Sequence, residues 1–205
     1  MRIYLVTDER LLLGKDLYRT VEAAVKGGVS MVQLREKESS TREFVERAIR
    51  LKEVLTPYGV PLIINDRVDV ALAADADGVH VGQSDMLYEM VKRLLPEGKI
   101  IGLSVESPEQ VLEANNYDLD YVAASPVFST TTKTNTIVEW GLDGLRWIRS
   151  VSRHPLVAIG GIHSNNVASI FKAGADSVAV ISAIVSADDP ERAARELLEK
   201  SGEPH

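Results

Sequence analysis

PLIINDRVDVALAADADGVHVG, residues 61 to 82, contains one complete repeating unit of the chain. In residues 61–66 the run Leu62, Ile63, Ile64 leaves no polar face, as a strand buried on both sides requires. Residues 67–74 change to helical period, and residues 78–82 return to a β-branched run. A strand, a helix and a second strand in so short a span make a βαβ unit, whose two strands lie parallel.

The same alternation extends in both directions. It gives eight strand candidates, at 2–8, 30–36, 61–66, 78–82, 99–104, 120–125, 155–161 and 177–182. Helices are expected at 16–27, 41–55, 67–74, 84–95, 107–115, 143–151, 164–173 and 188–200. In the second of these, Phe44, Ala48, Leu51 and Leu55 share a face, and Ser40 or Thr41 followed by Glu43 predicts an N-cap. Gly27, Gly28 and Gly174 are expected to close helices in the left-handed conformation. Eight such units, with no spare strand and no Pro/Ser-rich linker, indicate an α/β fold: a single (β/α)8 TIM barrel occupying residues 1–205 as one domain. A doubly wound open sheet is the alternative topology.

Composition narrows the function classes. With 205 residues, 45% hydrophobic and 26% charged, the chain can bury a sizeable core. Its 23 basic and 30 acidic residues give a net charge of -7, which argues against a nucleic-acid partner held by a broad positive field. An anionic ligand must be held locally. The absence of cysteine excludes disulfides, thiolate metal sites and a cysteine nucleophile. No export signal and no membrane-spanning run is legible, so a cytoplasmic location is expected.

Polar residues gather at the C-terminal ends of the expected strands, where barrel enzymes keep their sites. The ends read Thr7 and Asp8; Gln33, Arg35 and Lys37; Asn65 and Asp66; His80, Gln83 and Asp85; Ser104; Thr130, Thr132 and Lys133; Gly160 and Gly161; and Ile181 and Ser182. Period two sends Gln33, Arg35 and Lys37 to one side of their strand, and two cations with an amide suit a dense anion; a strand running out into solvated charge is the bland alternative. Asn65, Asp66 and Asp85 offer hard oxygen ligands for a cation such as Mg2+, which shares its coordination with phosphate and water. Helix capping would explain either aspartate singly.

AIGGI after the seventh strand and VISAI after the eighth occupy the loops that form the usual barrel phosphate site, where Gly160, Gly161, Ile181 and Ser182 would act through backbone. A tight turn needing glycine is the structural alternative. The only long connection, 125–142, carries four hydroxyls at Ser129 to Thr132 directly before Lys133. A loop of that length in a compact domain is usually functional. His80 reads as a lumen contact or, favoured on residue type, a satisfied core histidine; His154, His163 and His205 read as loop or tail. No Ser-His-Asp spacing, HExxH or Walker A occurs.

YLVTD, VQLREK, IIND, DGVHVGQSD, IGLSV, SPVFSTTTK and AIGGI, in this order, resemble the thiamine phosphate synthase family over nearly the whole chain. The resemblance implies a transferase that joins a hydroxymethylpyrimidine diphosphate to a thiazole phosphate, releasing diphosphate, with Mg2+ on a (β/α)8 barrel. By that resemblance Gln33 contacts the pyrimidine side; Arg35, Lys37, Asn65 and Lys133 the diphosphate; and Asp66 and Asp85 the Mg2+. Ser104 sits near the reacting centre, and Thr130, Thr132, Gly160, Gly161, Ile181 and Ser182 receive the thiazole phosphate. It names Ser104, Lys133 and Arg35 as the catalytic set. The implied path is dissociative: the leaving diphosphate departs, its charge held by cations, and the thiazole nitrogen captures the pyrimidine cation. Closure of residues 129–136 over the site would exclude water.

Three other readings remain at this stage. A thiazole tautomerase on the same barrel is nearest, but that relative is expected to carry a histidine after the sixth strand, where this chain reads Ala124, Ser125, Pro126. A non-catalytic sensor of a thiamine precursor would have no use for a metal-assisted leaving-group site. A barrel with a generic sugar-phosphate site would not need Asp66. Oligomeric state, including homo-oligomer formation, is not written in one sequence.

Overall fold

The structure is a computed structural model that describes residues 2–129 and 139–202. Eight parallel strands pair in chain order and close on themselves: β1 Ile3–Val6, β2 Met31–Leu34, β3 Leu62–Asn65, β4 Gly78–Val81, β5 Ile100–Val105, β6 Tyr121–Ala124, β7 Leu156–Ile159 and β8 Ser177–Val180. Each lies within its expected span except β5, which runs one residue further, to Val105. The closing pair sets Leu5 of β1 beside Val180 of β8, which excludes the open sheet.

Closure divides the apolar side chains into two clusters, because alternate residues of each strand face opposite ways. One lies between strands and helices and includes Ile3, Leu5, Leu34, Phe44, Leu51 and Leu62. The other fills the lumen with Tyr4, Val6, Met31, Ile63, Tyr121, Ala123, Val157 and Ala179. The lumen is not wholly apolar, since Gln33, Asn65, His80 and Ser104 are also buried. These four enter at the C-terminal ends of β2 to β5, where the site is built.

The helices are α1 Leu17–Lys26, α2 Thr41–Leu55, α3 Val68–Ala73, α4 Tyr88–Leu94, α5 Pro108–Ala114, α6 Gly141–Val151, α7 Val167–Lys172, α8 Ser182–Val185 and α9 Pro190–Lys200. The predicted cap of α2 is a reciprocal box: Ser40 Oγ accepts from the Glu43 N–H at 3.3 Å, and Glu43 Oε2 accepts from the Ser40 N–H at 2.9 Å.

Three expectations need correction. Ser182 does not end the last strand; β8 stops at Val180 and Ser182 opens the one-turn α8. Helix α4 begins at Tyr88, because residues 84–87 form the turn that carries Asp85 into the site. Gly27 caps α1 but is right-handed, with φ -79°, and its glycine is needed for packing: a Cβ there would stand 2.2 Å from the Glu191 carbonyl oxygen at the start of α9. Gly28 and Gly174 are left-handed as expected. His154 lies in a loop as expected, and is buried there against the Ala114 and Leu119 carbonyls.

Candidate active site

A cavity of about 720 Å³ opens at the C-terminal ends of the strands. Its floor is the upper layer of the lumen: Tyr4, Val6, Ala123, Val157 and Ala179. Above that layer the wall is polar, and it divides into a charged side, a buried hydroxyl-rich side and a glycine turn.

The charged side starts with β2. Gln33, Arg35 and Lys37 all line the cavity, as period two requires, even though regular pairing ends at Leu34. Arg35 is held from behind: its backbone N–H donates to Thr7 Oγ1 at 3.1 Å and its guanidinium to Asp8 Oδ2 at 2.7 Å. Thr7 and Asp8 therefore support the wall rather than line it. Lys37 Nζ donates to Asp66 Oδ2 at 2.6 Å.

Asp66 follows β3 with φ +63°, a conformation that costs a non-glycine residue energy and persists where surrounding structure imposes it. The constraint is visible, since the Asp66 N–H donates to the His80 carbonyl on β4 at 2.8 Å. The carboxylate is thereby turned into the cavity. Asp85 faces the same space from the turn after β4, where its Oδ2 accepts from the Gly82 N–H at 2.7 Å. Burial pushes the Asp85 carboxyl above the usual carboxylate range and the Asp66 carboxylate beside it pushes the same way, against the Gly82 N–H and Lys37.

Neither aspartate caps a helix. The cap residues are Arg67 for α3 and Leu87 for α4, so the capping alternative fails. Among the described residues no group of three or more His, Cys, Asp or Glu could hold a metal ion. Two adjacent carboxylates, with Asp66 disfavouring the charge of Asp85, fit a hard cation that takes most of its ligands from phosphate and water.

The second side is a hydrogen-bonded chain across the lumen. Gln33 Nε2 donates to the Tyr4 hydroxyl at 2.7 Å, Tyr4 meets the Tyr121 hydroxyl at 2.9 Å, Tyr121 meets His80 Nδ1 at 3.1 Å, and His80 Nε2 meets Ser104 Oγ at 2.9 Å. His80 is thus both a core histidine with its ring nitrogens bonded and a residue of the cavity wall.

Opposite lies the glycine turn after β7. Gly160 and Gly161 have φ of +106° and +65°, and a Cβ on either would meet Pro126 at 2.6 Å or Phe128 at 2.8 Å. Both the turn and its close packing on the connection after β6 therefore require glycine. Ile181 and Ser182 adjoin it from β8, and Asn65 lines the cavity between the two sides.

Of the site residues read from the sequence that are described, all but Thr7 and Asp8 line this one cavity. Thr130, Thr132 and Lys133, together with most of the 129–136 loop, lie outside the described residues. Sequence reading missed Tyr4, Glu106, Ser125 and His163, which line the cavity, and Tyr121, which lies in the lumen cluster. A signal for Tyr121 did exist. It sits beside Gly102 in the register, where the missing side chain leaves room for its ring.

Cations, paired carboxylates and a glycine turn at the mouth of a closed eight-stranded barrel define a (β/α)8 enzyme that handles phosphorylated substrates. Comparison with known proteins narrows the class. A family model described as "Thiamine monophosphate synthase" matches residues 3–184. A thiamine-phosphate synthase of Albidiferax ferrireducens is 52% identical over 93% of this chain and 87% of its own length. That of Vibrio campbellii is 50% identical over 96% of both chains. Among solved structures, a thiamine phosphate pyrophosphorylase from Pyrococcus furiosus superposes with a TM-score of 0.88 at 41% identity, covering 97% of this chain and 94% of that one. The chain belongs to the thiamine monophosphate synthase family.

Proposed function

We propose that this transferase condenses 4-amino-2-methyl-5-hydroxymethylpyrimidine diphosphate with hydroxyethylthiazole phosphate, giving thiamine phosphate and diphosphate. The observation that carries the reading is the meeting, in one cavity, of the Lys37–Asp66 pair and Asp85 on one side with the Gly160–Gly161 turn on the other. Two anions need two sites, and this cavity offers both.

In this reading Arg35, Lys37 and Asn65 take the diphosphate, with Lys133 joining from the loop after β6. Their positive charge meets negative charge growing on the leaving oxygens, which is electrostatic catalysis with no demand for a strong base. Asp66 and Asp85 would hold Mg2+. When bound, that ion supplies Lewis-acid stabilisation of the departing diphosphate. Gln33 reads the pyrimidine edge, and Ser104 lies over the reacting centre. Gly160, Gly161, Ile181 and Ser182, with Thr130 and Thr132, receive the thiazole phosphate through backbone and hydroxyl groups. The polyanion grip of Arg35 and Lys37 favours this reading over a thiazole tautomerase, which has no diphosphate to release, and the relatives reported above are synthases by name.

The enzyme is taken to work as one barrel domain in the cytoplasm, with these small molecules as its partners; no nucleic acid is involved, and homo-oligomerisation is a matter for measurement. No helix among the described residues is long and apolar enough to cross a membrane. The test is formation of thiamine phosphate and diphosphate from the two purified substrates, with Mg2+ and with EDTA.

A further inference from the structure

The chain from Gln33 to Ser104 joins five strands beneath the cavity, and with Gln33 Nε2 set against the Tyr4 hydroxyl its proton sense follows from counting donors. Burial holds both phenols well above their ordinary range, so Tyr4 and Tyr121 each keep one O–H proton. Tyr4 receives an N–H from Gln33, and within the chain the acceptor open to its proton is the Tyr121 oxygen. Tyr121 must then donate to His80 Nδ1. A neutral imidazole that accepts at Nδ1 carries its proton at Nε2, and donates it to Ser104 Oγ. The Ser104 proton is left to point into the cavity that Ser104 lines.

Turning the Gln33 amide over reverses every step. Tyr4 would donate to Oε1, Tyr121 to Tyr4, His80 Nδ1 to Tyr121 and Ser104 to His80. Amide orientation and histidine tautomer are therefore one variable. We propose that Tyr4 and Tyr121 are positioning residues that lock the Gln33 amide and the His80 tautomer together, so that Gln33 offers the cavity an acceptor beside a donor while Ser104 offers a proton. Gly102 keeps the link in place. A Cβ there would stand 2.1 Å from the Tyr121 ring and 2.3 Å from its hydroxyl.

The consequence for catalysis rests on the proposed function. An aminopyrimidine edge presents an amine donor beside a ring-nitrogen acceptor, the complement of the locked Gln33, and a serine proton suits a leaving oxygen that gains charge. The wrong amide orientation would set two donors against that edge. The relay ties the amide orientation to the His80 tautomer, so that neither turns without the other.

The test is nitrogen NMR on the histidine-labelled full chain, which has only four histidines to assign. Wild type is expected to show a protonated Nε2 and a bare Nδ1 at His80. Tyr121→Phe, which removes one oxygen, is expected to replace that single tautomer by a mixture. A wild-type Nδ1–H tautomer or an imidazolium would overturn the proposal, as would unchanged shifts in Tyr121→Phe. Should that variant not fold, Tyr4→Phe breaks the other link: the Gln33 side-chain amide proton should move upfield, and an unmoved one would overturn the proposal. None of these readouts needs turnover, so a chain that makes no thiamine phosphate would refute the catalytic reading and leave the relay to its own result.

Discussion

Lys37 Nζ stands 2.6 Å from Asp66 Oδ2, so a proposed diphosphate-binding cation and a proposed metal-binding carboxylate are partners in the free protein. Each must exchange the other for its ligand when substrate arrives. The two single variants therefore differ in sign. Lys37→Ala removes the competitor for Asp66 and should tighten substrate-free Mg2+ binding by calorimetry, while kcat falls roughly 10²- to 10³-fold, as for loss of one transition-state charge partner. Asp66→Asn should weaken Mg2+ binding and slow turnover together.

The raised carboxyl of Asp85 makes metal binding pH-dependent. A folded-state pKa above the unfolded value means that Asp85 contributes stability at low pH that is lost as pH rises through the folded value. A cation bound there restores what is lost, and protons compete with it below. The rise in Tm on adding Mg2+ should accordingly be larger at about pH 8 than at about pH 5. Asp85→Asn should abolish this difference in a thermal-shift titration.

Asp8 and Arg35 give a third expectation. The 2.7 Å bond fixes the guanidinium from one side and leaves its remaining donors for an anion. Arg35→Lys keeps the charge and loses the fork, with an expected loss of about 1.5–3 kcal/mol, or roughly 10- to 160-fold in kcat/KM for the pyrimidine diphosphate. Asp8→Asn should act in the same direction and more weakly, since it touches only the orientation.

Gly160 lies on the other side of the cavity and should report on the other substrate. Alanine there meets Pro126 at 2.6 Å in a left-handed backbone. Gly160→Ala is expected to destabilise the fold by about 1–3 kcal/mol and to raise KM for the thiazole phosphate more than for the pyrimidine diphosphate. A Tm measurement and two KM titrations check both parts.

The barrel was legible because every strand kept its expected place, from Ile3–Val6 to Ser177–Val180, and parallel strands buried on both faces declare themselves as unbroken apolar runs. The charged side was legible for a similar reason: alternation placed Gln33, Arg35 and Lys37 together without knowledge of their neighbours. Pairings between strands were not legible. Nothing local to Lys37 names Asp66, and nothing local to Tyr4 names Tyr121, because such contacts depend on which strands adjoin and in what register. The left-handed Asp66 was hidden too, since only the backbone bond to His80 explains it. Gly27 misled only in its conformation: it caps α1 as expected, but right-handed, and glycine is needed there to admit α9.

The most direct test of the central claim is a product assay with both purified substrates, run with Mg2+ and with EDTA. Thiamine phosphate and diphosphate appearing together in Mg2+, and neither in EDTA, is the predicted result. Thiazole phosphate bound without any product in Mg2+ would contradict the account, and would make the acidic pair of Asp66 and Asp85 a structural feature of the barrel mouth.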